Sequence, residues 1–179
     1  MLILASRSPR RSELLRNAGI PFIVKPADID ETPRQGELAA EYARRIADDK
    51  ALAVEAGPED TVLAADTVVE IDGRILGKPT GAADAERMLR LLSGHYHQVL
   101  TAICLRSPRG MVRDAAVTRV WFNQLTDAEI RAYAASGEPM DKAGGYAIQG
   151  LASKFIRRIE GSYSNVVGLP VCLVYRHLR

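Results

Sequence analysis

The sequence predicts an α/β protein, and three local patterns carry this prediction. Residues 2–5 form a short apolar run typical of a buried strand, and Ser8 and Pro9 then suit the N-cap and the first position of a helix. Residues 61–65 form a continuous apolar run, as expected for a central strand that is buried on both faces. Residues 84–93 form an amphipathic helix. Strands that are interspersed with helices in this way indicate the α/β class.

The remaining elements follow from apolar patterns, capping residues and turn signals. In chain order they are a strand over 21–24, a helix over 37–56, a hairpin over 68–76 with its turn at Asp72-Gly73, strands over 98–106 and 111–123, a helix over 126–136 that opens with a capping box, and a helix over 169–178 with Pro170 in its first turn.

Length and composition narrow the class of protein. The chain has 179 residues, with no linker, repeat or low-complexity tract, so we expect one domain over residues 1–179. The 24 Lys and Arg residues against 22 Asp and Glu residues leave a net charge of +2, which does not suggest a nucleic-acid coat or a membrane-surface helix. No segment has the pattern of a signal peptide or a membrane span, so we expect a cytoplasmic protein. Cys104 and Cys172 are expected to be reduced thiols in the core.

The start of the first helix is a candidate anion site. Free backbone N–H groups and a partial positive charge at a helix N-terminus attract phosphate, and this chain adds Ser6, Ser8, Arg10 and Arg11 there. A solvated, capped helix start with scattered arginines is the alternative that these residues leave open.

Lys50 lies in line with the apolar face of the helix predicted over 37–56. Every fourth residue of this helix gives the set Leu38, Tyr42, Ile46, Lys50 and Val54. Either the lysine extends along its own methylenes to solvent, or its ammonium points into a cleft and meets an anion. We favour the second interpretation because other charged residues point to an anion site.

Two carboxylates are the candidate acidic groups. The apolar run over 61–65 delivers Asp66 at the predicted end of a strand, where α/β proteins commonly place ligand chemistry, and Lys78 follows the hairpin. Glu31 lies in an acidic loop over 28–33, which on its own would be an ordinary exposed turn. His95 and His97 are expected on one face of a strand, but no third ligand lies near them in sequence, so we do not expect a metal site there.

Together these residues suit hydrolysis of a nucleoside triphosphate. Such a reaction needs cations around the phosphates, a divalent ion against developing charge, and a carboxylate that holds this ion or orients a water. Ser6, Arg10, Arg11, Lys50 and Lys78 would be the anion partners, and Glu31 and Asp66 the carboxylates. No serine–histidine pair, reactive cysteine or P-loop pattern supports another mechanism.

Several motifs in order resemble the Maf proteins. They are residues 4–11, residues 65–69, Gly77-Lys78-Pro79, residues 145–150 and Gly168-Leu169-Pro170. The Maf proteins are nucleoside triphosphate pyrophosphatases that release a monophosphate and pyrophosphate and are thought to remove unwanted nucleotides. The resemblance implies a Maf/ITPase-like α/β fold, an elongated mixed sheet flanked by helices with two lobes around a central cleft. It also implies a divalent cation such as Mg or Mn, and often a homodimer.

The resemblance also implies roles for single residues. Asp66 matches the catalytic carboxylate, and with Glu31 it would hold the metal. Ser6, Arg11, Lys50 and Lys78 match other polar cleft positions, which we assign to phosphate binding. Arg10, Thr67 and Gln149 match the pattern of the branch that acts on dTTP and UTP, for which modified pyrimidine nucleotides are further candidate substrates. Arg7 departs from the family pattern, which often has a small residue there.

Glutamine suits a pyrimidine chemically. Its amide offers a donor and an acceptor side by side, which match the N3–H and a carbonyl of uracil or thymine. Because the amide can also flip to suit cytosine, Gln149 alone does not exclude CTP. The glycines around residues 146–149 would let the backbone approach a ligand closely.

Three alternatives remain beside this prediction. One is a pyrophosphatase acting on 7-methyl-GTP or another nucleotide, and another is a nucleotide-binding regulator of cell division with little turnover. The third, an RNA-binding module, fits poorly with 6% aromatic residues and balanced charge. We therefore expect a nucleoside triphosphate substrate and neither nucleic-acid nor membrane partners.

Overall fold

Strands and helices alternate over the first third of the chain in the computed structural model, which describes residues 1–179. The strands are β1 (Leu2–Leu4), β2 (Ile23–Val24), β3 (Thr61–Ile71), β4 (Arg74–Leu76), β5 (Tyr96–Ser107), β6 (Gly110–Phe122) and β7 (Ile156–Glu160). The α-helices are α1 (Pro9–Asn17), α2 (Ala39–Ala53), α3 (Ala82–Leu92), α4 (Asp127–Ala135), α5 (Tyr163–Val167) and α6 (Val171–Leu178). None of the helices is both long enough and apolar enough to cross a membrane.

All seven strands belong to one mixed sheet. The strand order is β2-β1-β3-β5-β6-β7, and β4 pairs with β3 beside this path. β1 pairs in parallel with β2 and with β3, whereas β3 pairs antiparallel with β4 and β6 with β7. The predicted α/β class, with a mixed sheet and flanking helices, is therefore confirmed.

The chain divides into two compact units. Unit 1 contains Met1–Thr67, Thr101–Ala116 and Gly168–Arg179. Unit 2 contains Val68–Leu100 and Val117–Val167. Strands β3, β5 and β6 contribute residues to both units, so each unit is assembled from segments far apart in sequence.

The core of unit 1 forms around β1 and β3. Leu4 and Leu63 are fully buried, and α1 contributes Leu15 to the same cluster. The predicted C-terminal helix is confirmed, because α6 buries Val174 against this cluster. Pro170 precedes this helix at its N-cap position rather than in its first turn.

The core of unit 2 forms between α3, α4 and the sheet. α3 buries one stripe of apolar side chains, as predicted, and the predicted capping box at the start of α4 is present, with Thr126 accepting a hydrogen bond from the Glu129 N–H. The clustered aromatic side chains are those of Phe122, Tyr133, Tyr146 and Phe155.

Two predicted helix features need correction. α2 is shorter than the predicted 37–56, and Leu38 occupies its N-cap with 66% of its surface exposed, so it is not part of the buried face. Cys172 is exposed, whereas Cys104 is buried as expected. Because successive helix residues turn by about 100°, Cys172 lies on the opposite side of α6 from the buried Val174.

His97 is a core residue and does not share a strand face with His95. β5 begins at Tyr96, so His95 precedes the strand and is exposed, whereas His97 is fully buried. The His97 Nε2 atom lies 2.7 Å from the Tyr146 hydroxyl, and its ring packs edge-on against the rings of Phe122 and Tyr146. Its Nδ1 atom has no hydrogen-bond partner. Burial lowers the pKa of His97 to about 3, so the imidazole is neutral in the folded protein.

We expect His97 to make the protein less stable in mild acid. Between pH 6.5 and about 3 the unfolded chain takes up a proton that the folded chain excludes, so the free energy of unfolding falls as the pH falls and is unaffected above this range. At pH 5 the loss amounts to about 2 kcal/mol. Urea unfolding of His97→Gln between pH 7.5 and 5 should show a smaller pH dependence than the wild type. The exposed His95→Gln serves as the matched control, and equal pH dependence in all three proteins would contradict the prediction.

Candidate active site

Lys50 forms ion pairs with both candidate carboxylates of unit 1. Its Nζ atom lies 2.8 Å from Asp66 Oδ1 and 3.0 Å from Glu31 Oε1. The Lys50 and Asp66 side chains are only 10% and 9% exposed, whereas that of Glu31 is 48% exposed. The interpretation in which Lys50 extends to solvent is therefore wrong. The ammonium points inward, where α2, β3 and the loop before α2 meet.

Asp66 lies in the middle of a strand, not at the end of one as predicted. β3 pairs with β1 through Leu63 and with β4 from Val69 onwards, so Asp66 falls between the two pairings. The sequence indicated an end because the apolar run over 61–65 stops at Asp66. The strand runs on without a break to Ile71, where its second half pairs with β4 and where β5 lies beside it in the sheet.

Burial and the neighbouring positive charges shift the pKa of Asp66 in opposite directions. Burial raises the pKa of the Asp66 carboxyl, the positive charges of Lys50 and Arg11 lower it in part, and Glu31 raises it further. The net direction is upward from the ordinary value. A carboxylate with a raised pKa has a stronger affinity for a proton, which is the property that a general base requires.

Arg11 directs its guanidinium into unit 1. Its Nε donates to the Gly168 carbonyl at 2.7 Å, its Nη1 to the Ala65 carbonyl at 2.8 Å and to Ser6 Oγ at 3.2 Å, and its Nη2 to Thr67 Oγ1 at 3.0 Å. These bonds use four of the five N–H groups of a guanidinium. Burial lowers the pKa of Arg11, and the charges of Asp66 and Glu31 oppose this effect. Arg11 thus ties the segments around residues 6, 66 and 168 together.

Gly168 and Thr67 complete this network. The Thr67 hydroxyl lies 2.9 Å from the Thr101 hydroxyl and 3.3 Å from the Gly168 carbonyl. Gly168 has a φ of +129°, a conformation that side chains with a Cβ rarely adopt. Its carbonyl accepts the hydrogen bond from Arg11 Nε. Thr67 was expected to influence base choice, and its hydroxyl is engaged inside unit 1.

α1 begins where the sequence predicted, but its N-terminus is capped differently. Ser8 is the N-cap and Pro9 the first helical residue, but the Ser8 side chain makes no capping hydrogen bond. Instead the buried Ser6 accepts a hydrogen bond from the Ser8 backbone N–H at 3.2 Å. Arg10 is partly buried in the first turn of α1. Ser6 therefore shapes the turn into α1, and a role in phosphate binding stays a prediction.

Lys78 and Gln149 belong to unit 2, where both side chains are exposed. The Gly144 N–H donates to the Gly77 carbonyl at 3.0 Å, which joins the two segments that carry them. Gly144 has a φ of +72°, and a Cβ there would lie 2.9 Å from the Val69 side chain. This glycine permits close packing of the protein against itself, and the expected approach of a ligand to the backbone around residues 146–149 stays a prediction.

The carboxylates suit a divalent ion only in combination with other ligands. The structure contains no cluster of three or more His, Cys, Asp or Glu side chains that could hold a metal. However, Asp66 and Glu31 converge on one point, the Lys50 ammonium. One or two carboxylates that are completed by water and substrate phosphate oxygens form a common Mg²⁺ site. The residues present therefore fit a metal that binds together with a triphosphate.

Three polar residues near the site were not singled out from the sequence. Tyr42 was assigned only to the apolar face of its helix, yet its hydroxyl donates to the Glu31 carbonyl at 2.9 Å. Arg45 donates to the Thr32 carbonyl at 3.2 Å. Thr101 is fully buried against Thr67. A threonine in the apolar run of β5 was a signal for Thr101, whereas nothing in the local pattern indicated the partners of Tyr42 and Arg45.

A family model and several similar proteins each match the whole chain or nearly all of it. The family model described as Maf-like protein matches residues 1–179. A dTTP/UTP pyrophosphatase of Koribacter versatilis (strain Ellin345) is 52% identical over 179 residues, which cover 99% of this chain and 93% of the relative. A dTTP/UTP pyrophosphatase of Geobacter sp. (strain M21) is 53% identical over 181 residues, covering 99% and 94%.

The solved structures that resemble this chain are more distant. The Staphylococcus aureus Ham1 protein aligns with 17% identity and a TM-score of 0.46 over 68% of this chain and 71% of its own. Membership therefore rests on the family match over residues 1–179 and on relatives that share half of the residues. On both grounds, this chain belongs to the Maf family.

Proposed function

We propose that this protein hydrolyses dTTP and UTP to the nucleoside monophosphate and pyrophosphate, and so removes unwanted nucleotides from the cellular pool. Relatives that are 52% and 53% identical over nearly the whole chain are named dTTP/UTP pyrophosphatases. The structural observation that carries the proposal is the buried Asp66 carboxylate, which the Lys50 ammonium holds at 2.8 Å. We propose one catalytic domain over residues 1–179, in agreement with the extent of the family match.

Asp66 is the proposed general base. A water attacks the α-phosphorus, its proton passes to the Asp66 carboxylate, and the bond between the α-phosphorus and the bridging oxygen breaks, so that pyrophosphate leaves. Lys50 orients the carboxylate through its hydrogen bond at 2.8 Å.

Asp66 and Glu31 are the residues that would hold a divalent ion such as Mg or Mn. When bound, this ion would neutralise the charge that develops on the phosphate oxygens. Glu31 suits the role because its carboxylate is half exposed and still lies 3.0 Å from the Lys50 ammonium. Both acidic side chains thus lie beside the same ammonium, with Asp66 Oδ1 at 2.8 Å and Glu31 Oε1 at 3.0 Å from Lys50 Nζ.

The other predicted residues divide into two groups in the proposal. Arg11 and Ser6 shape the site from inside, because their polar groups are bonded to the protein itself. Arg10, Lys78 and Gln149 are partly or fully exposed and can contact substrate. Arg10 and Lys78 offer charge to the phosphates, and the Gln149 amide suits the edge of uracil or thymine. Thr67 is kept as a proposed determinant of base choice, and its hydroxyl is hydrogen-bonded to Arg11 and Gly168.

Two further expectations follow the family resemblance. The protein is expected to act in the cytoplasm, where nucleotide pools are held, and to form a homodimer.

Pyrophosphate release from a panel of nucleotides tests the proposed function. Purified protein with Mg²⁺ or Mn²⁺ would be assayed with dTTP, UTP, CTP, GTP, ITP and 7-methyl-GTP, and again after addition of excess EDTA. We expect turnover of dTTP and UTP above all others and its loss with EDTA. Selective hydrolysis of another nucleotide would support the proposed reaction and contradict the proposed base specificity. Nucleotide binding without release from any of them would instead indicate a binding regulator.

A further inference from the structure

We propose that Tyr42 and Arg45 are positioning residues that hold the loop carrying Glu31 against the Lys50–Asp66 pair. Only the effect that we expect on turnover rests on the proposed function. The contacts themselves are a property of the fold and are open to a separate measurement.

The loop that carries Glu31 has no regular structure of its own. β2 ends at Val24 and α2 begins at Ala39, with neither strand nor helix between them. The Tyr42 hydroxyl donates to the Glu31 carbonyl at 2.9 Å, and Arg45 Nη2 donates to the Thr32 carbonyl at 3.2 Å. Two consecutive backbone carbonyls are therefore bound by side chains of α2, at the residue whose carboxylate reaches Lys50.

Arg45 is itself held in place. It forms a two-point ion pair with Glu37, in which Nε lies 2.6 Å from Oε1 and Nη2 lies 2.7 Å from Oε2. This pairing lowers the pKa of Glu37 to about 2, so the carboxylate stays charged at neutral pH. The guanidinium also lies over the Tyr42 ring, with its central carbon 5.6 Å from the ring centroid. The two loop-binding side chains thus support each other.

The helix that binds the loop also supplies Lys50. Residues 42, 46 and 50 follow a four-residue spacing, so Tyr42 and Lys50 lie on the same face of α2, two turns apart. Tyr42 donates a hydrogen bond to the Glu31 carbonyl, and Lys50 forms an ion pair with the Glu31 carboxylate at 3.0 Å. Because the Glu31 side chain is half exposed, water competes for its charge, and the ion pair alone holds it weakly. The backbone contacts of Tyr42 and Arg45 restrict where this carboxylate can go.

The substitution Tyr42→Phe isolates the hydrogen bond. It leaves the ring over which Arg45 packs and removes only the hydroxyl that binds the Glu31 carbonyl. We expect kcat/KM for dTTP to fall about 3- to 10-fold, the effect of losing one net hydrogen bond at a site where geometry matters. Arg45→Lys, which keeps the charge opposite Glu37 but loses the planar donor group, should act in the same direction. Tyr175→Phe is the matched control, because Tyr175 is an exposed residue of α6.

Two measurements distinguish positioning from a general loss of stability. Hydrogen exchange followed by mass spectrometry should show faster exchange over residues 28–38 in Tyr42→Phe, with exchange in β1 and β3 unchanged. In a double-mutant cycle, Tyr42→Phe should have no further effect on kcat/KM once Glu31 is replaced by alanine, because the residue that it positions is gone.

The opposite results would overturn the proposal. Unchanged exchange over residues 28–38 would show that the Tyr42 hydroxyl does not restrain the loop. An equal loss of kcat/KM in the presence and absence of the Glu31 side chain would show that Tyr42 acts elsewhere. Failure of the proposed function has its own signature, since wild-type protein would then release pyrophosphate from no nucleotide. The exchange comparison would still decide whether Tyr42 holds the loop.

Discussion

Asp66→Asn should lower kcat for dTTP and UTP by about 10³-fold, which lies within the range for loss of a positioned general base. The amide keeps the size of the side chain and still accepts a hydrogen bond from Lys50, but it takes no proton from water and is a poorer metal ligand. Lys50 also keeps its second partner, Glu31, at 3.0 Å. The fold and nucleotide binding should therefore persist.

Steady-state pyrophosphate release and calorimetric titration with a nucleotide measure the two effects separately. Asp28→Asn is the matched control, because Asp28 is an exposed carboxylate whose ion pair with Arg7 lies at the surface. The control should retain nearly full activity, as expected for an exposed ion pair. If Asp66→Asn kept activity close to that of wild type, Asp66 would not be the base.

Lys50→Met should lower both the free energy of unfolding and the rate of pyrophosphate release. It leaves the Asp66 carboxylate buried without its hydrogen-bonded cation, and loss of one partner of a buried ion pair lowers the free energy of unfolding by about 3 kcal/mol. Activity should fall as well, because Asp66 loses the contact that orients it. Urea unfolding at pH 7.5 and pyrophosphate release are the measurements.

A double variant separates these two effects. Lys50→Met combined with Asp66→Leu replaces the ion pair by apolar side chains, which should restore at least half of the lost stability without restoring turnover. Lys25→Met is the control, since Lys25 lies at the surface and donates to the Glu55 carbonyl. It should change the free energy of unfolding by less than about 0.5 kcal/mol. A double variant no more stable than Lys50→Met would show that the cost does not come from an unpaired carboxylate.

Local patterns were sufficient to predict most helices and strands. α1, α3 and α4 follow from a proline at the first helical position, an apolar stripe and a capping box, respectively, and each of these signals lies within a few residues. The errors have two sources. The sequence divided β3 in two because its apolar run stops at Asp66, whereas the strand runs on without a break into the predicted hairpin. His97 is buried because Phe122 and Tyr146, which are distant in sequence, pack against it.

At the candidate site too, the sequence predicted the residues but not the contacts that they make. The residue types and their order were enough to single out Asp66 and Lys50, since charged groups in or beside apolar segments need partners. Arg11 was singled out by its place at the start of a helix, whereas the acidic loop of Glu31 by itself indicated only an exposed turn. Their partners were not readable from the chain, because Lys50 and Asp66 lie 16 residues apart, and Arg11 and Gly168 lie 157 residues apart. Packing directs the Arg11 guanidinium to the Ala65 and Gly168 carbonyls, and its expected role in phosphate binding stays a prediction. A side chain's chemistry is local, whereas the groups that it meets depend on how distant segments pack, and this packing places Tyr42 beside the backbone of Glu31.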